Sequence, residues 1–192
     1  MFAELYIWIK LVHIVTALAF FGLEGAAGIH SKALHQAQDF AVLRAALARL
    51  GAAMSGVSSA VLIILLSGLT MMFTAWGWHT AWVNLALGLF LVNFVLAQTI
   101  DLPWAKTLGK ALEGRSGAVT PEVWAMTEDP RMRFSHTFKT GADFALVFLM
   151  TVKPGLWLAL GGAALIVVAY FALVAYTGTA RPATPHQAVQ EA

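Results

Sequence analysis

The chain has 192 residues, 59% of them hydrophobic and only 11% charged, with a mean hydropathy of +0.75, whereas charged residues make up roughly 25% of a soluble domain. Too little polar surface remains to cover a water-soluble globule, and the lack of cysteine removes disulfides, iron–sulfur clusters, thiolate zinc and cysteine nucleophiles together. The net charge of +2 comes from scattered residues, with no basic patch interleaved with aromatics, so nucleic acid is not an expected partner.

In chain order, the apolar stretch from Leu11 to Leu23, bracketed by Lys10 and Glu24, predicts a first transmembrane helix near 5–28. Its opening Met-Phe-Ala-Glu-Leu has an acid and no base, and Lys10 and His13 interrupt the apolar run, so it reads as an uncleaved helix and not a signal peptide. Asp39 then caps an amphipathic stretch with Phe40, Leu43, Leu47 and Leu50 on one face and Arg44 and Arg49 free to snorkel, which predicts an interfacial helix over 39–50 leading into the next crossing. From Leu50 to Ile100 there is no Asp, Glu, Lys or Arg, a run too long for one crossing of about 20 residues. The break falls at Trp76-Gly77-Trp78-His79-Thr80, where glycine loosens the helix and tryptophan suits the headgroup region, giving helices near 53–75 and 80–100.

Within 101–133, Thr120-Pro121-Glu122 reads as an N-cap, an N1 proline and an acidic first turn, the start of a short helix that ends before Asp129-Pro130. A fourth crossing near 134–152 carries Lys139 and Asp143, which leave only Phe144 to Val152 uninterrupted; by length alone that run fits a re-entrant or interfacial segment. Pro154 to Ala180 is free of charge and predicts a last crossing near 156–177, followed by a disordered tail over 178–192 rich in Ala, Thr and Pro.

The expected architecture is all-α: a polytopic transmembrane bundle of five helices, a four-helix core plus a C-terminal helix, in one domain over 1–177. With five crossings, all of the 12 lysines and arginines except Lys10 and Lys153 fall on one side. By the positive-inside rule that side is cytoplasmic, so the N-terminus is periplasmic and the C-terminus cytoplasmic. The lipid bilayer is then the obligate partner, with a second copy or a larger membrane complex as further candidates.

Ionisable groups within a membrane are costly and face a partner, a cofactor or water. Lys10, His13 and Glu24 fall within roughly 60° of one another on the first helix, and His136, Lys139, Asp143 and Met150 share a face of the fourth. If these two helices are antiparallel neighbours meeting by those stripes, Glu24 lies at the depth of Lys139 and Asp143, and His13 nearer Met150. The cluster of Lys10, Glu24, Lys139 and Asp143 then reads either as a structural ion pair near the headgroups or as a proton or ion path. His13 sits about 10 Å below the outer end of its helix by the 1.5 Å rise. Met71, Met72, Asn84 and Met150 reach similar depths, and His79 can approach from the turn. Imidazole with thioether suits haem iron or Cu(I). The plainer alternative is a histidine hydrogen-bonded to a neighbour among methionines that fill gaps. The sequence holds no nucleophile elbow, phosphate loop or nucleotide fingerprint.

Tyr6-Ile7-Trp8-Ile9-Lys10-Leu11-Val12-His13-Ile14, the uncharged pair of central helices and Met150-Thr151-Val152-Lys153-Pro154 together resemble the small bacterial integral-membrane proteins of the HemJ/CopD-like group, above all its members without an assigned function. The likeness covers about 1–154. It implies residence in a bacterial inner membrane. For the HemJ-like branch it implies haem b held through the first-helix histidine, here His13, and protoporphyrinogen oxidation using a third-helix lysine; this chain has no lysine between Lys32 and Lys106. For the CopD-like branch it implies copper handling. The candidate functions fall into three classes: a haem or copper protein centred on His13, a small transporter or permeation protein using the polar stripes, and an accessory subunit of a membrane complex.

Overall fold

The computed structural model describes residues 2–179, and these fold into helices with no strand among them. In chain order they are α1 (Phe2–Gln36), α2 (Phe40–Met71), α3 (Ala81–Leu96), α4 (Leu102–Leu112), α5 (Pro121–Thr127), α6 (Pro130–Val152) and α7 (Leu156–Thr179). A π turn over Met72–Trp76 closes α2, and another over Ala97–Asp101 joins α3 to α4 as one rod. Among the described residues, four segments are long and apolar enough to cross a membrane: Glu4–Gln36, Phe40–Trp76, Ala81–Leu112 and Leu156–Thr177. The expected tail lies, from residue 180 on, outside the described residues.

α1 and α2 form an antiparallel hairpin whose contact is set by small residues. A Cβ at Gly56 would stand 3.1 Å from Leu23 Cδ2, and one at Gly68 would stand 3.3 Å from His13 Cε1, so two notches in α2 admit two side chains of α1. Both helices are longer than a hydrocarbon layer is thick. The 35 residues of α1 span about 52 Å at 1.5 Å per residue, against about 30 Å of bilayer core.

The stretch 40–50 does lead into the next crossing, as one continuous helix with it. It is the first part of α2, capped by Asp39, whose Oδ1 accepts from Ala41 N at 2.6 Å. Its apolar face is covered by protein: Phe40, Leu43 and Leu50 are buried with Leu34 of α1, Leu108 and Leu112 of α4, and Val119 and Val123. The segment 101–129 folds back as a lid over this end of the hairpin, since Phe40 N donates to Gly117 O and Val119 N donates to Gln38 O, both at 2.9 Å. Arg44 Nη2 donates to the carbonyls of Leu112 (2.9 Å) and Arg115 (2.7 Å), satisfying the open end of α4. The short helix at Pro121 forms as expected, but Thr120 supplies no side-chain cap and its Oγ1 is buried without a hydrogen bond.

α6 packs along α7 and also against α3. Gly141 faces Val167 and Tyr170, Gly162 lies under the Phe148 ring, and Phe134 sits 5.8 Å from Phe171, an antiparallel register that runs the length of both helices. With 23 residues, about 34 Å, α6 covers the same depth as the apolar α7 beside it. It tolerates its charges because it lies between α3 and α7, where Ser135, Ala142, Asp143, Ala145 and Leu149 are buried against protein and not lipid. At the opposite end from the lid, Lys153 turns the chain in a left-handed conformation (φ 52°) and places Nζ 4.4 Å from the Trp76 ring and 5.9 Å from that of Trp82. This cation–π contact ties the α6–α7 turn to the α2–α3 turn.

Candidate functional site

The polar side chains inside the bundle gather between α3 and α6. At 100° per residue Asn93 and Asp101 would sit about 80° apart on a regular helix. The wider π turn at 97–101 takes back part of that rotation, and π turns of this kind are frequent at functional sites. On α6, Ser135, Lys139 and Asp143 succeed one another at intervals of four and make one row. Because the two helices run antiparallel, the rows meet rung by rung. Asp101 receives Ser135 Oγ on Oδ1 at 2.7 Å and Lys139 Nζ on Oδ2, while Asn93 Nδ2 donates to Asp143 Oδ1 at 3.0 Å.

This corrects the pairing expected from the sequence. Lys139 is joined to Asp101 and not to Glu24 or Asp143, and the chief partner of α1 is α2 and not α6. The reason is the register of α3, which brings a carboxylate from just beyond the uncharged run level with Lys139. The side chains of Lys139 and Asp101 are 14% and 12% exposed, so water does little to screen them. Glu24 still contributes: half-buried on α1, it is a charged neighbour of both His136 and Asp143, and Phe21 beside it lies 6.4 Å from Phe144 of α6. From Ser135 to Asp143 the row covers about 12 Å, and from Asp143 to Val152 a further 13 Å or so. Asp143 is thus near the middle of α6, and beyond it toward Lys153 the packing is apolar, with Leu146, Leu149, Trp82 and Ala86.

His13 stands apart from that row. Its Nδ1 lies 2.9 Å from Ser67 Oγ. Ser67 Oγ also lies 2.6 Å from the Ile63 carbonyl and 3.2 Å from that of Ile64; with its one proton on a carbonyl, it accepts from an imidazole that carries its hydrogen on Nδ1. In the neutral ring Nε2 then keeps its lone pair. Of the methionines, Met72 is buried one turn beyond Gly68, whose position touches His13, Met71 is half-buried, and Met150 is 39% exposed on α6. His79 and Lys10 are exposed. Among the described residues no three of His, Asp or Glu converge as a metal site. His35, at the end of α1, lies 3.0 Å from Glu128 and helps hold the lid.

Four residues of the site are not singled out by the sequence. Asp101 falls in a predicted connection, and Asn93, Ser67 and Ser135 carry no charge and so leave no mark on a hydropathy profile. The available signal is their spacing: Asn93 and Asp101 are eight apart, as are Ser135 and Asp143. Comparison with protein families, with curated proteins and with solved structures finds no match for this chain.

Proposed function

We propose that this multi-pass membrane protein transfers protons, with Asp143 as the group that changes protonation state and the α3–α6 row as its access from one side. The observation that carries this is the Asn93–Asp143 pair at mid-helix, separated from the lid end by the Asp101–Lys139–Ser135 group. Lys139 neutralises Asp101, so the outer rung is a compensated pair, and Asp143 is left as a carboxylate whose hydrogen-bond donor is a neutral amide. Intramembrane carboxylates so placed commonly mark proton relays. His136 and Glu24 lie on the approach and can pass a proton inward through water. The apolar layer beyond Asp143 blocks a continuous pore, so release on the far side requires α6 to shift against α3 or a partner subunit to complete the path.

The positive-inside asymmetry favours a bacterial inner-membrane orientation with the N-terminus periplasmic and the lid end cytoplasmic. The test is proton flux in proteoliposomes holding a pH-sensitive dye, driven by a potassium diffusion potential. The wild type is expected to acidify or alkalinise the lumen faster than protein-free vesicles, and Asp143→Asn to abolish the difference. Flux equal in the wild type, Asp143→Asn and empty vesicles refutes the reading.

A second reading rests on His13. A ligating histidine characteristically donates its other ring N–H to a fixed acceptor, which sets the tautomer, and Ser67 Oγ, 2.9 Å from His13 Nδ1, stands where such an acceptor would. One imidazole so oriented would serve as an iron ligand for haem b, in line with the HemJ-like resemblance; copper would need further soft ligands beside it. Bound haem would supply electron-transfer chemistry, and His13 and Ser67 would hold it. Protein purified in mild detergent after expression with ample haem and copper decides this: a Soret band lost in His13→Ala supports it, and colourless, metal-free wild type removes it.

A further inference from the structure

The Asn93 side chain is only half used. Its Nδ2 donates to Asp143 Oδ1, yet its Oδ1 is sealed from solvent and accepts no hydrogen bond from the described residues. A primary amide has a donating end and an accepting end, and a carboxyl group asks for a different one in each protonation state. The anion offers only acceptors and is served by the NH2 group, as observed. The acid carries an O–H, and the same amide turned half a revolution about its last side-chain bond would present Oδ1 to receive it.

We propose that Asn93 is a positioning residue that works as a rotor, donating to ionised Asp143 and, once turned, accepting from protonated Asp143, so that both states of the proton carrier keep a hydrogen bond. The inference rests on the proton-transfer reading and says how its central group is held. In the step itself, a protonated water on the lid side gives up one proton and becomes neutral water as an O–H bond forms on Asp143, and the amide reverses to meet it. Release breaks that O–H bond, passes the proton to a water reached on the far side, and returns the amide to its present orientation. The surroundings leave Asn93 as the group able to do this. Lys139, from α6 itself, is held by Asp101 of the α3–α4 rod; Glu24 faces Asp143 from α1 and, when ionised, donates no hydrogen bond; His136 lies nearly two turns away along α6. The face of α7 against Gly141 brings Val167 and Tyr170, and the described part of α7 holds no ionisable side chain other than tyrosine.

Infrared difference spectroscopy of the purified protein tests the rotor, with the Asp143 carboxylic-acid C=O band assigned as the one lost in Asp143→Asn. A rotor bonds to both states, so Asn93→Leu removes support from acid and anion together. The acid band is then expected to move to higher frequency, as for a carboxyl without a partner, while the proton affinity of Asp143 changes by less than tenfold. Asn93→Thr, whose hydroxyl also both donates and accepts, should return the band toward its wild-type position, and Asn93→Ala serves if the leucine variant does not fold. An unmoved acid band with a proton affinity changed by more than tenfold would mean that Asn93 only anchors the anion, and would overturn the proposal. The vesicle flux assay separates the two levels. Flux lost in Asp143→Asn with an unmoved band leaves proton transfer standing and the rotor refuted, whereas flux unaffected by Asp143→Asn refutes the reading on which both depend.

Discussion

Replacing Lys139 by methionine keeps the length and apolar stem of the side chain and deletes its charge, leaving Asp101 ionised and nearly enclosed. With both side chains under 15% exposed, the pair belongs to the desolvated regime, in which loss of one partner costs about 3–5 kcal/mol, and not to the surface regime of about 1 kcal/mol or less. Ser135 still donates to Asp101 Oδ1 at 2.7 Å, and a hydrogen bond to a charged group is worth roughly 1.5–3 kcal/mol. Asp101 is therefore only partly stranded, and the expected loss lies at the lower end, about 3 kcal/mol. Adding Asp101→Asn removes the uncompensated charge while keeping an oxygen for Ser135, so the double variant should regain about 2 kcal/mol. The assay is reversible unfolding in mixed detergent–SDS micelles monitored by circular dichroism, run as a double-mutant cycle. The coupling should survive raised salt, because the pair is shielded from mobile ions. A parallel cycle of Lys139→Met with Asp143→Leu should show weaker coupling. Losses for the Lys139–Asp101 cycle that add to within about 0.5 kcal/mol would refute the pairing.

Gly141→Leu should separate α6 from α7, because a Cβ there already meets Val167 Cα at 3.3 Å and backbone cannot step aside; overpacking of this kind costs about 1–3 kcal/mol or more, read as a lower melting temperature in detergent. Ser67→Ala should cost about 1–3 kcal/mol by removing the hydroxyl that pairs with His13 Nδ1, and His13→Leu in the same protein should recover part of it; a further full loss would show that the imidazole does not depend on Ser67. Arg44→Ala frees the carbonyls of Leu112 and Arg115, so limited trypsin digestion should cut faster after Arg115, and an unchanged rate would mean that the lid is held without Arg44. Reporter fusions at Gln190 should be active only for a cytoplasmic reporter, and a periplasmic signal would contradict five crossings from a periplasmic N-terminus.

The sequence by itself determined the solvent and the number of long helices. A helix in hydrocarbon must satisfy its backbone internally and can carry few charges, so the uncharged run from Leu50 to Ile100, its break at Gly77 and the apolar stretch before Ala180 are legible from composition alone. The Asp39 cap and the row Lys139–Asp143 are legible for a related reason, since caps and helix faces depend on neighbours within one helix. Which helix meets which row is not a local property. It depends on where the backbones can approach, at Gly56, Gly68, Gly141 and Gly162, and on how far a π turn rotates the residues C-terminal to it. Both effects shift register by fractions of a turn that no hydropathy profile records. Tertiary structure alone therefore decided that 40–50 covers a protein lid and not the membrane surface. It likewise decided that His13 rests on Ser67, that Asp101 and not Glu24 holds Lys139, and that an uncharged asparagine stands opposite the carboxylate in the middle of α6.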